Sequence, residues 1–105
     1  TDAITNVDIW IDRAVLHFLT REEDIKGYFK NLESKLKVGG YAIFAEFSKT
    51  GAPKCAGLTV HRYSIEELSE RLNSSFKLIA SFNHTYINPN GDPKPYIYGL
   101  YKRTM

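Results

Sequence analysis

The chain has 105 residues, a length for one domain rather than two. Hydrophobic residues make up 43% and aromatics 13%, enough for a packed core, and charged residues are an ordinary 25%. Lys and Arg number 14 against 12 Asp and Glu, a net charge of +2, which excludes nucleic-acid binding driven mainly by charge. A single cysteine, Cys55, excludes an intrachain disulfide framework and any Cys-based zinc cluster. No stretch approaches the ~20 apolar residues needed to cross a bilayer. Thr1-Asp2-Ala3-Ile4 also lacks the basic start and apolar core of a signal peptide. The expectation is one soluble α/β domain over residues 1–105, cytoplasmic, with no membrane or nucleic-acid partner. The chain starts without an initiating Met and close to its first element.

Val7-Asp8-Ile9-Trp10-Ile11-Asp12 alternates β-branched with other residues and predicts a strand ending at Asp12. Arg13 to Leu19 is mostly apolar and predicts a short helical turn on the core. Thr20-Arg21-Glu22-Glu23 has the form of a capping box, in which Thr20 and Glu23 satisfy each other's amides. Ile25, Tyr28, Phe29, Leu32 and Leu36 then fall on one helical stripe, with Gly39-Gly40 as the expected stop. Tyr41 to Phe47 is nearly continuously apolar and suits a strand covered on both faces. Strand, helix and strand together form a βαβ unit.

Ser48 to Arg62 carries Gly51, Pro53 and Gly57 without a steady period and is read as a loop. Ser64-Ile65-Glu66-Glu67 is a second capping box, opening a helix to about Asn73. Phe76 to Phe82 predicts a strand continuing toward Ile87. Asn88-Pro89-Asn90-Gly91-Asp92-Pro93 is turn chemistry, and Pro95 to Lys102 is the returning strand of an antiparallel hairpin. Tyr96, Tyr98 and Tyr101 in that strand are read as sheet packing rather than a base-stacking platform.

In this order the elements become familiar. Val7 to Leu19, with its Asp12-Arg13 and Leu16-His17, resembles the fourth-strand motif of class I S-adenosylmethionine-dependent methyltransferases. Lys37-Val38-Gly39-Gly40 before the next apolar strand is similar to that family's following landmark. Cys55-Ala56-Gly57-Leu58 through Arg62-Tyr63 resembles a loop of one bacterial and archaeal branch. The resemblance covers essentially the whole chain. It implies the C-terminal half of a Rossmann-like methyltransferase sheet: parallel strands with helices and a closing antiparallel hairpin. The family's Gly-rich turn and the ribose-holding acid about 20 residues beyond it are missing here.

The family's sheet order is 3-2-1-4-5-7-6, so losing its first three strands leaves the fourth as a bare edge. Val7, Ile9 and Ile11 are then uncovered, and self-association through the Asn6–Asp12 strand is expected. The resemblance implies S-adenosylmethionine as cofactor in the intact protein and direct displacement of its methyl group by a small-molecule or protein nucleophile. Positioning supplies most of the rate in such a displacement. The chain alone is expected to be inactive. The alternatives are a degenerate, non-enzymatic interaction module and an unrelated small α/β binding domain.

The candidate residues follow from the same likeness. Asp2 and Asp12 are the cofactor candidates, the second at the strand end where doubly wound sheets place ligands. Arg13, Arg62 and Tyr63 are the substrate candidates, with a local Asp12–Arg13 pair as the structural alternative. His17 is the candidate general base, because imidazole titrates near neutrality. Cys55 is read chiefly as a packed residue, and His17, His61 and His84 are too dispersed to predict a metal site.

Overall fold

The computed structural model describes residues 7–50, 54–55 and 58–105. Strand β1 is Val7–Arg13, followed by a 3₁₀ turn over Leu16–Phe18 and helix α1 over Glu22–Lys35. Strand β2 is Leu36–Phe47, and the short strands β3 (Lys54–Cys55) and β4 (Leu58–Thr59) come next. Helix α2 (Ile65–Leu72), strand β5 (Phe76–Ile87) and strand β6 (Pro93–Arg103) complete the chain. The main sheet has the order β1-β2-β6-β5, which is the 4-5-7-6 half of the expected seven-strand order. β1 and β2 are parallel, and β6 is antiparallel to both β2 and β5.

Both helices lie on one face. Ile25, Phe29 and Leu32 of α1 and Leu68 and Leu72 of α2 pack with Ala42, Phe44, Ile97 and Tyr101 of the sheet in one core. Arg71 ties the helices together by donating twice to the Glu22 carboxylate, at 2.5 and 2.9 Å. β1 is an edge of the sheet among the described residues, and Ile9 and Ile11 are 55% and 69% exposed.

Both ends of α1 differ from expectation. The N-cap residue of α1 is Arg21, whose carbonyl accepts from the Asp24 and Ile25 amides and whose side chain makes no cap. Glu23 pairs with the Arg21 guanidinium, so the Thr20–Glu23 box does not form. The helix ends at Lys35 rather than at Gly39-Gly40. Leu36 is already extended and opens β2, although its side chain enters the core that the helical stripe predicted. Gly39 does take a left-handed φ of 91°, but inside β2, where the register to β1 shifts between Val7 and Ile9. At Gly40 a Cβ would lie 2.6 Å from the Asp8 carbonyl oxygen, so the glycine permits β1 to approach.

The predicted loop after Ser48 contains the small β3–β4 pair. Tyr101 points into the core and bonds to Ser69 at 2.8 Å, on the opposite sheet face from Tyr96 and Tyr98. Half of the second box forms: the Ser64 hydroxyl accepts from the Glu67 amide at 3.1 Å, while the Glu67 carboxylate engages His61 and Arg71. The hairpin turn closes as expected, Asn88 Oδ1 accepting from the Asn90 and Asp92 amides.

Candidate functional site

The carboxyl ends of the parallel pair β1 and β2 meet beneath α1, the position at which open α/β sheets hold ligands. Asp12 is the last inward-facing residue of β1 and is buried. Its carboxylate accepts from the Val15 amide at 2.9 Å and the Leu16 amide at 3.1 Å, so it caps the 3₁₀ turn. The Tyr28 hydroxyl donates to the same carboxylate and accepts from the Trp10 indole nitrogen at 2.9 Å. These bonds hold a tight corner, in which Ala14 takes a φ of 62°. Arg13 is exposed and faces the other side of the sheet.

Glu46 of β2 is a lone acid in an apolar run and is fully buried. Burial first, then the charge and hydrogen bonding of Asp12, push its carboxyl up to about 10. It is therefore a neutral acid at physiological pH, facing the Asp12 carboxyl group. Its Oε1 accepts from the His17 amide at 3.1 Å.

His17 is fully buried as well. Its Nδ1 accepts from the Phe47 amide at 3.1 Å, which makes Nε2 the protonated nitrogen of a neutral ring. Burial lowers its pKa, in keeping with that form. The 3.5 Å approach of Nδ1 to Glu46 Oε1 thus joins two neutral groups and is not an ion pair. The ring lies between Phe18 and Phe47, with centroids 4.7 and 4.5 Å away. The His17 carbonyl accepts from the His61 amide at 2.8 Å, and the Phe47 carbonyl from the Tyr63 amide at 2.9 Å. The segment before α2 is thereby stitched to the ends of β1 and β2.

Tyr63 is fully buried, and burial raises its hydroxyl pKa out of any working range. His61 Nε2 lies 2.7 Å from Glu67 Oε2. Arg62 donates to the Lys49 carbonyl at 3.2 Å. Beyond the end of β2, a cavity of about 420 Å³ opens between Ser48, Lys49, Thr50, Ser64 and Asn83.

The fold therefore brings Asp12 and His17 near each other, ties the Tyr63 main chain to the end of β2, places Arg62 at the surface beside Lys49, and turns Arg13 away. Asp2 lies outside the described residues, as does the Cys55 side chain. Glu46 and Tyr28 were missed in the sequence. Glu46 carried a signal, being the one charged residue between Tyr41 and Phe47.

Superposition on solved structures identifies the architecture. An S-adenosylmethionine-dependent methyltransferase from Methanosarcina mazei matches 93% of this chain and 59% of its own, with 15% identity and a TM-score of 0.75. The fold is the methyltransferase fold. The 1,6-didemethyltoxoflavin-N1-methyltransferase of Burkholderia thailandensis, solved with bound 1,6-didemethyltoxoflavin and S-adenosylhomocysteine, matches over 93% and 44% of the two chains. Its identity is 16% and its TM-score 0.68. The N-methyltransferase NodS of Bradyrhizobium japonicum, in complex with S-adenosylhomocysteine, matches over 93% and 46%, with 11% identity and a TM-score of 0.69. The chain spans about half the length of these methyltransferases. No family model and no curated protein matches it.

The methyltransferase fold implies S-adenosylmethionine, and the described residues do not by themselves fit it. The hollow at the end of β1, between Trp10, Ile11, Asp12, Val15 and Tyr28, holds about 130 Å³. Sites for ligands of that size run to roughly 300 Å³ or more. The Asp12 carboxylate is also already committed to the turn and to Tyr28.

Proposed function

We propose that these residues form the acceptor-side half of an S-adenosylmethionine-dependent methyltransferase domain, and that the 105-residue chain alone is inactive. The observation that carries this reading is the strand order β1-β2-β6-β5 with its one parallel pair, which superposes on methyltransferases over 93% of the chain. The intact domain transfers a methyl group from the cofactor to a small-molecule or protein acceptor. Asp12 and His17 serve it by fixing the corner after β1 and the end of β2. A base role for His17 requires Nδ1 to release the Phe47 amide, because Nε2 already carries the ring proton. Arg62 and Tyr63 flank the acceptor side, near the 420 Å³ cavity. The β1 edge pairs with another strand, from a second copy where nothing else supplies it.

The test is isothermal titration of S-adenosylmethionine and S-adenosylhomocysteine into the chain alone. A parallel titration uses a fusion carrying the cofactor-binding half of the Methanosarcina mazei enzyme ahead of Val7. Silence from the chain and binding by the fusion support the proposal. A folded fusion that binds neither ligand overturns it. The second reading is a non-enzymatic interaction module. It draws on the engaged carboxylate of Asp12 and the small hollow beside it.

A further inference from the structure

β5 forms the edge of the sheet opposite β1, and among the described residues it pairs only with β6. In the seven-strand methyltransferase order the missing strands lie beyond β1, so β5 remains the outer strand of the whole sheet. Proteins usually blunt such an edge with charges, proline or a bulge. β5 has a bulge between Leu78 and Ala80, and from Ala80 to Ile87 its register is regular. That run is exposed throughout and contains no Asp, Glu, Lys, Arg or Pro. The β1 edge, by contrast, carries Asp8, Asp12 and Arg13.

The two sides of the run differ in chemistry. Ser81, Asn83 and Thr85 stand on the helix side, beside Gly99, Ile97 and Pro95 of β6. All three are exposed, so α2 does not overhang them. Ala80, Phe82, His84 and Tyr86 alternate onto the other side, where the Phe82 ring stacks on Tyr98 with centroids 4.8 Å apart. Rotating the strand about a two-fold axis normal to the sheet at Asn83 sets Ser81 against Thr85 and Asn83 against Asn83. On the other side it sets Phe82 against His84 and Ala80 against Tyr86. Hydroxyl meets hydroxyl, amide meets amide, ring meets ring, and alanine leaves room for tyrosine. Within this register no charges of one sign oppose each other.

We propose that Ala80–Tyr86 pairs antiparallel with the same segment of a second copy, joining two sheets edge to edge in a two-fold symmetric dimer. The contact is isologous, so the strand must complement itself, and the pairing about Asn83 meets that demand. A foreign strand would bind this edge without any such symmetry in the sequence. The bulge at Leu78–Ala80 ends the pairing on one side and the turn after Ile87 ends it on the other, which fixes the register. Pairing at β5 does not depend on the methyltransferase reading, whereas its persistence in the whole domain rests on it.

The test is sedimentation equilibrium of the 105-residue chain up to millimolar concentration, with Asn83→Lys, Asn83→Asp and an equal mixture of the two variants. Asn83 is exposed, so both variants are expected to keep the parent's circular dichroism. Each variant alone sets like charges against each other at the axis and is expected to weaken the dimer at least about fivefold. The mixture, which sets Lys against Asp, is expected to recover the parent's association. Association through β1 is indifferent to position 83 and does not give this pattern. A chain that stays monomeric, which would leave the edge to a foreign strand, overturns the proposal. So does association that neither variant weakens, a mixture no stronger than its components, or growth into open-ended fibres. Loss of the pattern while the fusion still binds S-adenosylhomocysteine removes the dimer and spares the methyltransferase reading; a silent fusion with the pattern intact does the reverse.

Discussion

The main-chain N–H of Phe47 donates to Nδ1 of His17 across 3.1 Å, joining the turn after β1 to the last residue of β2. Both groups are buried, so neither has water as an alternative partner. His17→Phe leaves the amide unpaired and is expected to cost about 1–3 kcal/mol in chemical denaturation. His17→Asn, which can offer an oxygen in place of Nδ1, is expected to recover part of the loss. If His17→Phe is as stable as the parent, this bond does not hold the corner.

The pH dependence follows from two buried groups with opposite signs. His17 has its folded pKa below the ordinary 6.5, so the unfolded chain takes up its proton first and stability falls as pH drops below that value. Glu46 is raised from 4.5 to about 10, so the folded chain holds a proton the unfolded chain has lost. Stability therefore falls as pH rises between those values. Glu46→Gln keeps the shape of the neutral acid and is expected to flatten the alkaline limb of a stability–pH profile. An unchanged limb in that variant contradicts a neutral Glu46.

Tyr28 is the middle of a relay from the Trp10 indole to the Asp12 carboxylate. Tyr28→Phe removes a donor to Asp12 and the acceptor of Trp10 together, with an expected cost of about 1–3 kcal/mol. Trp10 is the sole tryptophan, so its emission reports the change directly. A shifted emission maximum is expected on losing the hydroxyl, and an unaltered spectrum would argue that the relay is not formed in solution.

The two capping boxes make a matched pair. Ser64→Ala is expected to lose about 1 kcal/mol, because its hydroxyl holds the Glu67 amide. Thr20→Ala is expected to be neutral, since the N-cap residue of α1 is Arg21 and not Thr20. Equal losses in thermal or urea melts would reinstate the first box.

That contrast also shows what the sequence can carry. The βαβ unit, the Ser64 cap and the Asn88–Pro93 turn rest on neighbouring residues and were legible. The end of α1 was not. Leu36 stands four residues after Leu32 and enters the same core whether the backbone stays helical or, as here, extends. Asp12 and His17 were found as strand-end residues, but their partners Tyr28 and Phe47 lie 16 and 30 positions away. What those side chains hold together is decided by the packing of α1 on β1 and β2, which periodicity does not encode. Glu46 was hidden for the opposite reason, because an apolar run is scored by its majority.

The measurement closest to the centre of this account is calorimetric titration of S-adenosylhomocysteine into the chain and, in parallel, into the fusion that supplies a cofactor-binding half. No heat from the chain up to millimolar ligand, and one-to-one binding by the fusion, is the predicted result. Binding by the 105 residues unaided would contradict an incomplete cofactor site. A folded fusion that stays silent would contradict the methyltransferase function itself.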